Sequence, residues 1–139
     1  MQTPDQPVLR DIVLVGGGHS HVGVRKSVGM RPIPGVRLTL ICTDVHTPYS
    51  GMLPGYVAGH YDFDAVHIDL GRLAVFAGAR LYHDAVVGID RTNRKVLCRN
   101  RPAVPFDVLS INLGATPQAH GVPGALEHAV AVKPIARFN

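Results

Sequence analysis

The chain has 139 residues, the size of one ordinary domain. Hydrophobic residues make up 46% and charged residues 17%, which supplies a core and excludes a charge-dominated disordered tail. The formal charge of +4 comes mostly from dispersed arginines with no block of five like charges, so a nucleic-acid-binding arm is not indicated.

Glycine and proline are in excess, with 15 and 11 copies. The excess implies many tight turns or backbone-lined loops, and no short-period repeat accompanies it. The longest apolar runs, Ile12–Val15 and Leu38–Cys42, are strand-sized. They fall far short of the ~20 residues that a membrane-spanning helix needs. Met1–Arg10 has no basic-then-apolar leader, so no secretory signal is expected. Cys42 and Cys98 stand alone, without Cys-x-x-Cys spacing, which points to reduced thiols in a cytosolic protein rather than a zinc site or redox dithiol.

In chain order, Ile12-Val-Leu-Val15 is a continuous apolar run that stops at Gly16-Gly17-Gly18. Such a run suits a central parallel strand covered on both faces. A helix is predicted from His19 to about Arg31, with Val22, Val24, Val28 and Met30 as its apolar face and Pro32 and Pro34 ending it. Val36–Cys42 is a second strand, completing a βαβ unit in about 30 residues. From Thr43 to Asp69 the pattern dissolves into a long loop, which in a compact domain is more often functional than idle. A short helix is predicted over Asp69–Ala77, with Asp69 as N-cap and Gly78 as stop. Short strands follow at Ala79–Tyr82, Ala85–Asp90, Lys95–Arg99 and Phe106–Leu113, with a hairpin turn at Asp90–Arg94. Beyond Gly114 the chain is rich in loops. The cluster Arg91, Arg94, Lys95, Arg99 and Arg101 reads first as a solvated hairpin and second as an anion-binding surface.

The glycine turn carries the sharpest chemical signal. Glycines there let a strand turn tightly and let backbone approach a pyrophosphate, while the next helix aims its unpaired N–H groups at the phosphates. In the usual G-x-G-x-x-G pattern a third glycine permits close helix–strand packing; His21 holds that position here. A bulkier residue implies a slightly displaced helix, with Gly23 as partial compensation. A purely structural turn is the alternative. An acid normally ends the second strand and holds the adenosine ribose, but Cys42 stands there. Asp44 is the candidate two residues on, either for the ribose or as a loop cap, and backbone groups are a third option. The eight histidines show no tight ligand spacing, so a metal site is not expected. His19 and His21 are candidates for a phosphate or ring contact; otherwise the histidines read as loop-surface groups.

Three segments in order carry a family resemblance: Val13–Val22 with its glycines, Thr47-Pro-Tyr-Ser-Gly-Met-Leu-Pro-Gly55, and Asn112-Leu-Gly-Ala-Thr-Pro117. Together they resemble the FAD-dependent pyridine nucleotide-disulfide oxidoreductase superfamily, in its type II NADH dehydrogenase-like branch. The nearest likeness is the flavoprotein module that some bacteria fuse to selenide, water dikinase. The resemblance covers nearly the whole chain. It implies an α/β, Rossmann-like FAD/NAD(P)-binding fold, with a central parallel sheet and a three-stranded β-meander crossover. By the same resemblance Gly16, Gly17 and Gly18 face the FAD pyrophosphate, with the His19 and Ser20 amides at the helix start. Backbone near Val86 meets the adenine. Asn112, Gly114 and Ala115 match the second flavin motif, where many relatives carry Thr at the Asn112 position. Tyr49, Ser50 and Met52 fall in the loop that approaches the flavin ring, although a proline-pinned surface excursion is also open.

Relatives continue into a second glycine-rich fingerprint for NAD(P)H and a late flavin segment. Residues 1–139 match only the first part of the FAD-binding domain, so the nicotinamide domain is expected as a missing partner and the chain alone is expected to be inactive. For the parent protein the resemblance implies hydride transfer from nicotinamide to FAD and on to a quinone or another acceptor. It also implies a place in the cytoplasm or at the membrane surface. A non-catalytic nucleotide-binding or interaction module is the second reading. A stand-alone NAD(P) oxidoreductase is disfavoured, because none of Tyr49, Tyr56, Tyr61 and Tyr82 is followed by Lys four residues on. The apolar stretch around Val122–Ile135 suggests a homo-dimer.

Overall fold

The computed structural model describes residues 7–114 and 121–129. Strand β1 (Arg10–Val15) leads through the glycine turn into α1 (His19–Met30) and returns as β2 (Val36–Cys42). Next come β3 (His46–Pro48), a 3-10 turn (Ser50–Met52), α2 (Leu53–Val57), α3 (Phe63–Val66), β4 (His67–Asp69) and α4 (Leu70–Ala77). Strands β5 (Arg80–His83), β6 (Val86–Asp90), β7 (Lys95–Cys98), β8 (Val104–Pro105) and β9 (Val108–Ile111) follow, and then a one-turn helix α5 (Ala125–His128).

The central sheet has the order β5-β2-β1-β9, with every pair parallel. Strands β6, β7 and β8 form an antiparallel meander. This is the Rossmann-like arrangement expected from the βαβ unit. Alternation of side chains along β1 and β2 sends them into two layers. Leu14, Leu38, Leu40 and Cys42 pack with Leu70 of α4. Val13, Val15 and Ile41 pack on the other face with Val96 of the meander, joined by Tyr82, Val86, Val104 and Phe106.

Helix α1 departs from its predicted face. Val22 and Val28 do pack on the core, but Val24 and Met30 are exposed. The buried side chains of α1 are His21 and Arg25 instead. The helix meets α4 at Gly29, where a Cβ would lie 2.3 Å from the Phe76 ring, so a side chain there would have to displace that ring. Helix α4 ends as its sequence predicts. The Asp69 carboxylate accepts from the Gly71 and Arg72 amides at 2.8 and 3.0 Å, and Gly78 adopts the left-handed conformation at φ +61°. The hairpin turn also matches, with Asp90 accepting from both the amide and the side chain of Asn93.

The stretch from Thr43 to Asp69 is more ordered than the expected loop. It folds into the β3–β4 pair and two short helices. These elements are too brief for period-based reading, and β8, with two residues, escaped for the same reason. Val122 and Leu126 are exposed, while residues 130–135 of the apolar stretch lie outside the described residues. Among the described residues no helix is long and apolar enough to cross a membrane.

Leu40 is fully buried between the sheet and the helices. Leu40→Ala should cost about 2–5 kcal/mol, read as a lowered urea midpoint with an unchanged slope. Val75→Ala on the exposed side of α4 should stay within about 0.5 kcal/mol of the parent.

Candidate functional site

The glycine turn sits at the carboxyl ends of β1, β2 and β9. The Gly16 amide donates to the Ile41 carbonyl at 2.8 Å, and the Asn112 amide donates to Val15 at 2.8 Å. The Gly18 amide in turn donates to the Asn112 carbonyl at 3.3 Å. Gly16 has φ +95°, and a Cβ there would fall 2.1 Å from the Asn112 carbonyl oxygen. At Gly18 a Cβ would meet the Asn112 carboxamide at 2.3 Å. Both glycines therefore answer to one neighbour, the chain at Asn112.

Helix α1 begins directly after this turn. Gly18 is its N-cap, offers no side-chain cap, and is followed by no acidic residue in the first turn. Helix geometry leaves the first amides, those of His19 and Ser20, without intrahelical acceptors. The Asn112 carboxamide lies across this opening. Its Nδ2 donates to Ser20 Oγ at 2.5 Å, and its Oδ1 accepts from the Gly114 amide at 3.4 Å. Gly114 has φ +83° and open space where a Cβ would be. Ala115 lies outside the described residues.

His21, at the third position of the glycine pattern, is a buried tie and not a loop-surface group. Nδ1 lies 2.8 Å from the Gly16 carbonyl oxygen and Nε2 lies 2.9 Å from Ser110 Oγ. A carbonyl can only accept, so Nδ1 carries the proton and donates, while Nε2 of the neutral ring accepts from the serine hydroxyl. The imidazole thus joins the turn to β9, and Gly23 has nothing within 4 Å to compensate. One helical turn on, Arg25 is fully buried. Its Nε donates to the His21 carbonyl at 3.2 Å and Nη1 to the Leu70 carbonyl at 3.3 Å, while Nη2 has no partner among the described residues. Burial pushes the Arg25 guanidinium below its usual range. Burial also pushes the Cys42 thiol up, against a smaller opposing pull from Arg25, so the thiol stays protonated at neutral pH.

At the end of β2, Asp44 is exposed and accepts from the Thr43 hydroxyl at 3.0 Å, a local loop contact. The acid that organises this edge is Asp84, which sequence reading passed over. Its amide donates to the Cys42 carbonyl at 3.0 Å, and its carboxylate takes the amides of Ala85 and Asn100 and the Asn100 side chain. Burial alone would raise the Asp84 carboxyl, but these donors and Arg101 outweigh it and hold the group below the usual range. Val86, just beyond, packs on the layer that contains Val15 and Ile41.

Tyr49 is brought to the turn, its ring meeting His19 edge-on with centroids 5.3 Å apart. Ser50 and Met52 form the 3-10 turn next to it. The structure thus gathers Gly16, Gly17, Gly18, His19, Ser20, Asn112, Gly114 and Tyr49 at one end of the sheet. Asp44, Ser50, Met52 and Val86 lie on neighbouring segments without a direct contact to the turn among those observed. Among the described residues no group of three or more His, Cys, Asp or Glu could hold a metal ion.

No family model matches the chain. It is 28% identical, over an alignment of 135 residues, to the NADH dehydrogenase-like protein YutJ of Bacillus subtilis, covering 91% of this chain and 35% of that protein. The chain therefore spans about a third of the curated relative's length. Among solved structures, a ferredoxin reductase from Rhodopseudomonas palustris is 27% identical with a TM-score of 0.69, covering 84% of this chain and 29% of that one. The sulfide:quinone oxidoreductase of Aquifex aeolicus shares the fold at 21% identity and a TM-score of 0.69, covering 85% and 27%. NDH2 of Plasmodium falciparum shares it at 15% identity and 0.70, covering 86% and 25%. A parallel sheet with a meander crossover and a glycine turn opening a helix defines the Rossmann-like fold that dinucleotide-binding proteins share. More particularly, the chain is similar in sequence to an NADH dehydrogenase-like protein and to a ferredoxin reductase, and it shares its fold with a sulfide:quinone oxidoreductase and NDH2.

His21→Ala leaves the buried Gly16 carbonyl without its donor and should cost about 1–3 kcal/mol in denaturant unfolding. His21→Gln should recover part of that loss. For Asp84, the depressed carboxyl contributes stability above the unfolded-state value of about 3.9, and loses it as pH falls through the lower folded value. Asp84→Asn should therefore lower the melting temperature at pH 7 and flatten its fall between about pH 4 and pH 2.

Proposed function

We propose that this chain is the FAD-binding segment of an NAD(P)H-dependent flavin oxidoreductase. The observation that carries the reading is the uncapped, acid-free start of α1 behind a turn in which a Cβ at Gly16 would strike backbone and one at Gly18 would displace the Asn112 carboxamide. Such a cradle fits a pyrophosphate, because backbone N–H groups and the helix dipole favour an anion and the glycines add no side chains of their own.

In this reading the amides of Gly17, Gly18, His19 and Ser20 hold the two phosphates. Asn112, Gly114 and Ala115 close over the nucleotide, with Asn112 held in place by Ser20. Val86 offers backbone to the adenine, and Asp44 is the acidic side chain for the ribose. Tyr49, Ser50 and Met52 border the flavin ring. FAD, when bound, supplies the hydride chemistry between NAD(P)H and a quinone or other acceptor. The chain's own share is to bind and orient, since neither thiol is poised as a nucleophile: burial raises both Cys42 and Cys98. Residues 1–139 are the first part of the FAD-binding domain, and the nicotinamide domain of the parent protein is the partner that completes turnover. The isolated chain is then inactive with NAD(P)H, and the parent protein works in the cytoplasm or on the membrane surface.

The purified chain should take up FAD and show a flavin absorption spectrum, with FAD released on denaturation and identified by mass. Gly18→Val should weaken that uptake by at least tenfold while leaving the circular dichroism spectrum unchanged, since the new side chain displaces the Asn112 carboxamide. A folded chain that takes up no FAD at saturating concentration would overturn the reading.

A further inference from the structure

The face of the central sheet that meets the meander changes character along its length. Near the carboxyl ends of the strands it presents Val13, Val15 and Ile41 to the interlayer core. Two residues back along the same alternation it presents Asp11, Arg37 and Thr39, with Asp11 beside Arg37 and Thr39 beside Arg80 in the strand register. Packing between the layers stops there, and a cleft of about 220 Å³ opens, bounded on its far side by the chain at 102–105.

Six side chains define its chemistry. Asp11 is occupied by Arg37, whose Nε and Nη2 lie 2.5 and 2.8 Å from the two carboxylate oxygens. Arg101 stacks over Tyr82, its guanidinium carbon 3.7 Å from the ring centroid, so its N–H edges stay free. Among the described residues neither Arg80 nor Arg101 makes a close ion pair, although Arg101 lies near enough to Asp84 to hold its carboxyl down. Thr39 is buried at the floor of the cleft. Three guanidinium groups against Asp11 in the lining and Asp84 beside Arg101 leave a positive surplus around a cavity smaller than the ~300 Å³ of common small-molecule pockets.

We propose that this cleft is a second binding site, separate from the glycine turn, that takes a small molecule carrying a phosphate group. A phosphate monoester carries about −1.5 to −2 charge at neutral pH and three acceptor oxygens, which matches the surplus and the forked donors of Arg80 and Arg101. Arginine suits this task better than lysine because its planar fork bonds two oxygens at once. A dinucleotide is too large for the space. The glycine turn lies at the other end of β1, five residues from Asp11 and so about 16 Å away, and the two sites are independent.

The test is an NMR titration of the full chain with inorganic phosphate, glycerol 3-phosphate and, as a carboxylate control, malonate. Phosphate or its ester should perturb the Arg80 and Arg101 side-chain N–H signals and the backbone amides of Arg101, Ala103 and Val104, with a dissociation constant of about 1 mM or tighter. Tighter binding of the ester identifies an esterified ligand, and tighter binding of inorganic phosphate identifies the free ion; both support the site. Arg80→Gln and Arg101→Gln should each weaken binding at least tenfold, and because both residues are exposed the amide dispersion should stay native. Gly18→Val should leave these signals responsive, which separates the cleft from any phosphate held at the turn. The absence of perturbation, equal binding of malonate, or full retention of binding in the double variant would overturn the proposal, whatever the outcome with FAD.

Discussion

Most of the site depends on where the main chain passes at Asn112. Its carbonyl accepts from the Gly18 amide, and its own amide donates to the end of β1. The space left between this strand end and the glycine turn is too small for a Cβ at Gly16, and it admits one at Gly18 only if the Asn112 carboxamide moves. A strand entering the sheet 96 residues after Gly16 thus dictates the residue type there. Antiparallel hairpins settle such matters locally, but a parallel sheet brings distant strand ends side by side and makes close approach a long-range constraint.

His21 extends the same logic into the helix. A third glycine would let α1 pack closely on the strand, whereas here an imidazole fills the gap and makes two hydrogen bonds across it. The replacement exchanges backbone proximity for a polar tie, and the tie fixes the ring's tautomer because one partner is a carbonyl. Arg25 continues the line toward α4 by donating to the His21 and Leu70 carbonyls. The face of α1 turned to the core is therefore partly polar, which explains why counting its valines misjudged its orientation. Val24 and Met30 are apolar yet exposed, and the buried groups are the two that hydrogen-bond to backbone.

The two ends of the sheet differ in kind. At the carboxyl ends, uncapped amides, glycines and an Asn carboxamide make a site out of backbone dipoles. At the amino ends, guanidinium groups on three segments face one another around a cleft. Between them the interlayer core of Val13, Val15, Ile41 and Val96 is apolar, so it separates the two sites rather than linking them. The Arg101–Tyr82 stack shows how the meander contributes. Arg101 looked like one member of a solvated basic hairpin, but the return of the chain to β8 carries it over the third strand of the sheet.

The sequence by itself determined the βαβ unit, the ends of α4 and the Asp90 turn. These features depend on apolar runs, capping side chains and left-handed glycines that act over a few residues. It also singled out the glycine turn as the candidate site, because strand, glycines and helix are contiguous in the chain. Only the tertiary structure decided that Asp84 and not Asp44 anchors the edge beside Cys42. It alone placed His21 in a buried bridge and faced Arg37, Arg80 and Arg101 toward one space. The physical reason is separation: Gly16 from Asn112, His21 from Ser110, and Arg37 from Arg101 are all pairs that parallel strand order and the meander crossover bring together, and no local pattern records which distant strand will lie alongside.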